Sequence, residues 1–348
     1  MNIFFRTDAS IDIGTGHVIR CLTLSDELRQ NGVNIGFICR EETGNLIEYI
    51  EKRGYYVHRL PADIDIETDI QLTQRILERH AMKPDWLVID HYDIDSSWES
   101  PLREFVRKIM VIDDLANRQH DCDLLLDQNC RLNGNNYNGL VPDNCMKLLG
   151  PKYALLRPQF LKARENLRER TSEVKRILVF MGGTDTTNET SKALRAIQML
   201  NRPDIAIDTI IGASNPYRIE IIDLASQMPN TNCYFQVDNM AELMALADLC
   251  IGAGGTTTWE RCCLGLPTIV IVIAENQIEI AENLAKKETV INLGWFEHIK
   301  KSDIEDALKI LINNHEKSRT MSTKARELVD GRGAERVANA LIKERVFV

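Results

Sequence analysis

His17 closes a loop that begins at Asp8, with Gly14 and Gly16 just ahead of it, and opens an amphipathic stretch that reads as a helix from about His17 to Asn31. Two glycines let a phosphate or a sugar approach the backbone closely. The partial positive charge of a helix N-terminus works against a second positive charge on imidazole, so a histidine there is expected as a neutral proton acceptor. That is the form a water-activating base requires. Arg20 follows one turn on, on the same face, placed to meet a phosphate. The competing explanation is structural: the glycines make the turn and His17 caps the helix. Dinucleotide binding is disfavoured, because Ile19 stands where the third glycine of that fingerprint belongs.

Further polar groups end other apolar runs. Asp90-His91-Tyr92-Asp93, Asp113-Asp114 and Leu126-Asp127-Gln128-Asn129 each follow a strand-like segment, with Tyr92 and, ranked below it, Asn129 as ligand candidates. Ordinary turn formation is the bland alternative for each. Met181-Gly182-Gly183-Thr184-Asp185 offers backbone N–H groups that could cradle a diphosphate, or is merely a tight turn. Gly252 to Glu260 repeats the pattern of strand, glycine-rich turn and helix. Gly254, Gly255 and Thr256 present donors to phosphate, and Glu260 is placed to accept ribose hydroxyls. Thr257-x-x-Glu260 also matches a capping box, which would give that glutamate a structural use. Ala274-Glu275-Asn276-Gln277 closes the next strand, with Asn276 either a ligand contact or a helix cap. Asp-x-Asp pairs at Asp63/Asp65, Asp93/Asp95 and Asp121/Asp123 are expected by chance in so acidic a chain, so no metal is expected.

These groups need a scaffold that brings loop ends together. Short β-branched or aromatic runs alternate with amphipathic stretches, which means parallel sheet. Strands are expected at Ile3 to Phe5, Val33 to Cys39, Tyr55 to Arg59, Trp86 to Asp90, Met110 to Asp113 and Asp123 to Leu126. Asn129 to Cys145 reads as a loop, and Pro158 to Arg170 as a helix. A second set of strands runs Ile177 to Phe180, Ile205 to Ile210, Cys233 to Gln236, Leu249 to Ile251, Thr268 to Ile273 and Val290 to Asn292. A chain of 348 residues suits two such α/β domains, here 1–155 and 172–330, with a cleft between them and a last helix in 331–348 set off by Gly331 and Gly333.

The formal charge of −9 argues against nucleic acid and anionic membrane as partners, so anionic ligands must be held locally. The nine cysteines show no zinc-type spacing and read as buried, reduced thiols. The first residues have too short an apolar run for a signal peptide, and Leu264 to Ala274 falls far short of the roughly 20 residues of a membrane span. A cytoplasmic protein is expected.

Taken in order, Arg6-Thr7-Asp8 through Gly14-Thr15-Gly16-His17, Asp90-His91-Tyr92, Val111-Ile112-Asp113-Asp114, Leu126 to Asn129, Met181 to Asp185, Gly252 to Glu260 and Glu275-Asn276-Gln277 resemble, nearly end to end, the hydrolases of bacterial pseudaminic acid biosynthesis. That family removes UDP from UDP-2,4-diacetamido-2,4,6-trideoxy-β-L-altropyranose. The resemblance implies a glycosyltransferase-B architecture of two Rossmann-like domains, similar to the UDP-GlcNAc transferase of peptidoglycan synthesis. It further implies that His17 is the base, that the second domain holds UDP, and that water attacks the anomeric carbon with inversion and without a cofactor. Two rivals remain: a transferase of the same fold with another acceptor, and a protein that binds a nucleotide sugar without turnover. The oligomeric state is open, with a monomer favoured.

Overall fold

The computed structural model describes residues 1–10, 14–131, 136–168, 170, 173–235 and 237–343. Parts of the expected Asp8–Arg20 loop, of the 129–145 loop and of the last helix, together with Gln236, lie outside the described residues. The chain divides into two compact units. The first comprises Met1–Asn129, Asn133–Leu155 and Arg332–Val348, and the second Cys130–Leu132 and Leu156–Gly331.

In the first unit strands and helices alternate as far as β5, and two further strands follow: β1 (Asn2–Thr7), α1 (Gly16–Gln30), β2 (Asn34–Arg40), α2 (Ile47–Lys52), β3 (Tyr56–Leu60), α3 (Ile66–Glu78), β4 (Trp86–Asp90), α4 (Ser96–Glu99), β5 (Lys108–Ile112), β6 (Leu124–Asp127) and β7 (Met146–Leu149). All strand pairs are parallel, in the order β3-β2-β1-β4-β5-β6-β7. Period-two alternation builds a core on each face. Ile3, Phe5, Trp86 and Val88 pack on one side with Val18, Leu24 and Leu28 of α1, while Phe4, Leu87 and Ile89 pack on the other with Ile76 and Leu77 of α3.

The second unit runs α5 (Pro158–Glu165), β8 (Arg176–Phe180), α6 (Glu189–Met199), β9 (Ala206–Ile211), α7 (Arg218–Ser226), β10 (Thr231–Phe235), α8 (Met240–Leu246), β11 (Leu249–Ala253), α9 (Thr257–Cys263), β12 (Thr268–Val272), α10 (Ile278–Lys286), β13 (Ile291–Trp295), α11 (Lys301–Asn313) and α12 (His315–Leu328). Its parallel sheet is ordered β10-β9-β8-β11-β12-β13. The last helix, α13 (Gly333–Lys343), belongs to the first unit, where Val337, Ala338 and Leu341 join the core against α1. The Trp86 indole N–H donates to the Leu341 carbonyl at 3.2 Å.

Three local expectations are corrected. β7 was not foreseen, because a four-residue edge strand with an exposed Met146 and a half-buried Lys147 carries almost no alternation. The helix from Pro158 stops at Glu165 rather than at Arg170. Beyond it the Arg170 guanidinium donates to the carbonyls of Ala247, Leu264 and Gly265, the last two at the C-terminal end of α9. Gly333 begins α13 instead of separating it, since a Cβ there would lie 2.1 Å from the Ala154 carbonyl oxygen. All nine cysteines are free thiols. Among the described residues no helix is long and apolar enough to cross a membrane.

Candidate active site

In a doubly wound parallel sheet the strand order reverses at one point, and the loops leaving the two strands beside that point diverge to leave a crevice at their carboxyl ends. The reversal falls between β1 and β4 in the first unit and between β8 and β11 in the second. The loops after those four strands carry Gly14 and Gly16, Asp90 to Tyr92, Gly182 to Thr184, and Gly254 to Thr256.

His17 is the second residue of α1, and its ring is nearly buried. Its Nδ1 lies 2.5 Å from Oδ1 of Asp90, the last residue of β4, which is fully buried. Burial alone would raise the Asp90 carboxyl, but the Arg20 guanidinium and then His17 hold it below the usual carboxylate range. An ionised carboxylate only accepts, so Nδ1 carries a proton and donates it, and in the neutral ring Nε2 is then the acceptor. Arg20 Nη2, 3.2 Å from Nδ1, then faces a donor and makes no hydrogen bond to it. The Tyr92 ring meets the imidazole edge-on, with centroids 4.5 Å apart.

Arg20, expected as a phosphate contact, is paired with two carboxylates. Its Nε and Nη2 donate to the two oxygens of Asp90 at 2.5 and 2.6 Å, and Nη1 donates to Asp114 at 2.9 Å. These bonds hold both oxygens of the Asp90 carboxylate in place. Asp8 is likewise turned inward. Its Oδ1 takes the backbone N–H of Arg40 at 2.7 Å and pairs with Arg6 at 2.8 Å, and its Oδ2 lies 3.2 Å from His91 Nε2. Asn129 donates from Nδ2 to the Asp114 carbonyl at 3.1 Å. Asp8, His17, Arg20, Tyr92 and Asn129 thus gather along the ends of β1, β4, β5 and β6, four adjacent strands. Asp90 and Asp114 are the members that sequence reasoning left as turn formers. For Asp90 the available signal was a carboxylate closing a wholly apolar strand, since a buried charge requires a partner.

In the second unit Gly182 adopts φ +99°, a conformation that suits glycine, and Gly183 is exposed. Gly212, after β9, packs on this pair so tightly that a Cβ on it would lie 2.1 Å from the Gly183 carbonyl oxygen. Thr184 is half-buried beside them. The N-terminus of α6 is already occupied: Asp185 accepts the N–H groups of Glu189 and Thr190 at 2.9 and 3.1 Å.

Along the β11 turn, Gly255 is half-buried and Thr256 exposed, but the Gly254 N–H is committed to Gln277 Oε1 at 3.1 Å. The capping box at Thr257 does not form, since Thr256 is the cap residue and makes no side-chain cap. Glu260 pairs through Oε1 with Arg157 at 3.2 Å, and its buried Oε2 has no hydrogen-bond partner among the described residues. Burial raises the Glu260 carboxyl against the pull of Arg157 and Arg261. Asn276 lies in a 3-10 turn, Glu275–Gln277, before α10, and is not the cap residue of that helix.

Four of the Asp-x-Asp carboxylates have structural uses. Asp65 caps α3, Asp95 accepts the Ser97 N–H, and Asp121 and Asp123 both pair with Arg103. Among the described residues no group of three or more His, Cys, Asp or Glu is placed to hold a metal ion.

Residues 176–339 match the model of the glycosyltransferase family 28 C-terminal domain. The chain is 31% identical over 288 residues to the UDP-2,4-diacetamido-2,4,6-trideoxy-β-L-altropyranose hydrolase of Campylobacter jejuni, covering 82% of this chain and 97% of that one. It is 30% identical over 317 residues to an uncharacterized protein of Methanocaldococcus jannaschii, covering 87% of this chain and spanning 63% of that protein's length. The crystal structure of MurG from Acinetobacter baumannii superimposes with a TM-score of 0.72 at 13% identity, covering 98% of this chain and 99% of that one, which shows a shared fold.

Proposed function

The chain belongs to the family of UDP-2,4-diacetamido-2,4,6-trideoxy-β-L-altropyranose hydrolases, within the glycosyltransferase-B superfamily, and from that premise we propose that it hydrolyses this UDP-sugar to UDP and the free sugar. The observation that carries the reading is His17 held through Nδ1 on the buried Asp90 carboxylate. With Nδ1 engaged, Nε2 takes a proton from water as the water oxygen bonds to the anomeric carbon and the bond from that carbon to the diphosphate oxygen breaks, with inversion. The electron pair leaves with UDP. As Nε2 gains its proton, Asp90 stabilises the resulting imidazolium, the same role a buried carboxylate plays behind the histidine of a hydrolase triad.

In this proposal the second unit holds UDP. Backbone N–H groups of Gly182, Gly183 and Thr184, and of Gly255 and Thr256 with its hydroxyl, face the diphosphate as charge develops on it. The Glu260 Oε2 supports a place for the ribose hydroxyls, which would satisfy a buried acceptor that has no donor among the described residues. Gly14 and Gly16 admit the sugar beside His17, with Tyr92 and Asn129 as further contacts; in the second unit Asn276 is a further ligand contact. The proposed reaction uses no metal or cofactor.

The match to the glycosyltransferase family 28 C-terminal domain favours one alternative, transfer of the sugar to an acceptor other than water. Incubating the protein with the UDP-sugar and EDTA, and following UDP and free sugar beside His17→Ala, separates the two. UDP and free sugar in equal amounts, lost in the variant, support hydrolysis. UDP release only when an acceptor is added would replace it with the transferase.

A further inference from the structure

Gln277, beside Asn276 in the turn before α10, has its side chain fixed by two backbone donors. Oε1 accepts two backbone N–H groups, from Gly254 at 3.1 Å in the glycine-rich turn after β11 and from Ile273 at 3.2 Å just after β12. Both partners are donors, so only the carbonyl end of the amide can face them and the flipped orientation is excluded. The Nε2 end, with two N–H donors, is thereby turned the other way. It lies 3.9 Å from the place a Cβ on Gly255 would take, and makes no hydrogen bond to a described residue.

The turn beneath it is clamped from the opposite side. Arg261, buried in α9, donates from Nη2 to the Ala253 carbonyl at 2.6 Å, so the peptide between Ala253 and Gly254 is held at its oxygen by Arg261 and at its N–H by Gln277. The fit is close on both faces. A Cβ on Gly254 would lie 3.1 Å from Gln277 Cβ, and one on Gly252 would lie 2.0 Å from Arg261 Nη1.

We infer that Gln277 is a ligand-binding residue whose Nε2 donates to a phosphate oxygen of the nucleotide diphosphate at the Gly254–Thr256 turn. The inference rests on the proposal that the second unit binds UDP. A donor whose orientation is set before the ligand arrives loses little freedom on binding, and a hydrogen bond to an anionic oxygen is among the stronger ones.

Gln277→Glu separates this role from a structural one. A carboxylate of the same shape accepts the same two N–H groups, so the clamp on the turn survives, but the donors facing the ligand become an anionic oxygen. The full chain and the variant are compared by thermal melting and by calorimetric titration with UDP, with uridine binding followed by ligand-detected NMR. The expected result is a melting temperature no lower than that of the unsubstituted chain, UDP affinity reduced about tenfold to a hundredfold, and uridine binding unchanged. Equal UDP affinity in both proteins overturns the inference, as does an equal loss for uridine. A Gln277→Glu chain that does not fold overturns it too, because the two-donor geometry at Oε1 would then be wrong. If the unsubstituted chain binds no UDP, the proposed function itself fails, an outcome distinct from all of these.

Discussion

If Asp90 works only through His17, then removing both should cost no more activity than removing the histidine. The perturbation is the pair His17→Ala and Asp90→Asn, alone and combined, assayed by UDP release under saturating UDP-sugar. A general base contributes about 10²–10⁴ in rate, so His17→Ala is expected to lower kcat by about 10³. Asp90→Asn keeps the shape but removes the acceptor charge at 2.5 Å from Nδ1, so the ring is free to carry its proton on Nε2 and lose its basicity there. A loss of the same order is expected, since a wrongly protonated histidine is nearly as inactive as a missing one. Independent effects would multiply to about 10⁶, whereas action through one another leaves the double variant near 10³, a coupling of about 4 kcal/mol at 1.36 kcal/mol per tenfold. Stability must be followed separately. Asp90 also neutralises Arg20, and breaking a buried pair costs about 3–5 kcal/mol, although Asp114 still faces that guanidinium. The stability loss should appear in Asp90→Asn with or without His17, while the activity loss should not add. A double variant near 10⁶ would refute the pairing as the source of catalysis.

Acid should act oppositely on the two units. In the first, burial tends to raise Asp8, Asp69, Asp90 and Asp113, but their guanidinium and imidazole neighbours outweigh it and hold all four low. Groups depressed in the folded state stabilise it fully above their unfolded values near about 4, and that stability is lost as pH falls toward the folded values. In the second unit burial raises Asp185, Glu189 and Glu260, so their ionisation penalises the fold near neutrality and acid relieves the penalty. Hydrogen exchange read by mass spectrometry at falling pH should therefore show the first unit opening before the second, and the reverse order would contradict the assignment. Gly212→Ala drives a Cβ to 2.1 Å from one backbone oxygen and 2.5 Å from another, with no flexible side chain to yield. A loss of about 3 kcal/mol with weakened UDP binding is expected in denaturant and titration experiments, and wild-type values for both would sink that account of the Gly182–Gly183 loop. Arg170, whose guanidinium burial brings down to about 10, donates to the carbonyls of Ala247, Leu264 and Gly265. Arg170→Ala should lower the stability of the second unit by about 2–4 kcal/mol in urea, and an unchanged midpoint would count against that tie.

The amino-acid sequence by itself determined which segments become strands, because apolar alternation is a local property, and β1 to β6 and β8 to β13 lie within a few residues of where the pattern puts them. It also determined where the glycine-rich turns fall and that His17 stands in the first turn of α1, since glycine punctuation and helix onset are local too. β7 escaped because an edge strand buries too little to leave a pattern. Tertiary structure alone decided what those residues touch. His17 and Asp90 are 73 positions apart, and only the strand order, which puts β4 against the edge of β1 that β2 leaves open, makes them neighbours. The same order pairs Arg20 with Asp90, and in the second unit the neighbouring of β11 and β12 brings Gln277 to Gly254 from 23 residues away. Hydrogen bonds between strand ends are set by sheet pairing, which no local periodicity encodes, so the sequence could supply the chemical groups while the fold determined their partners.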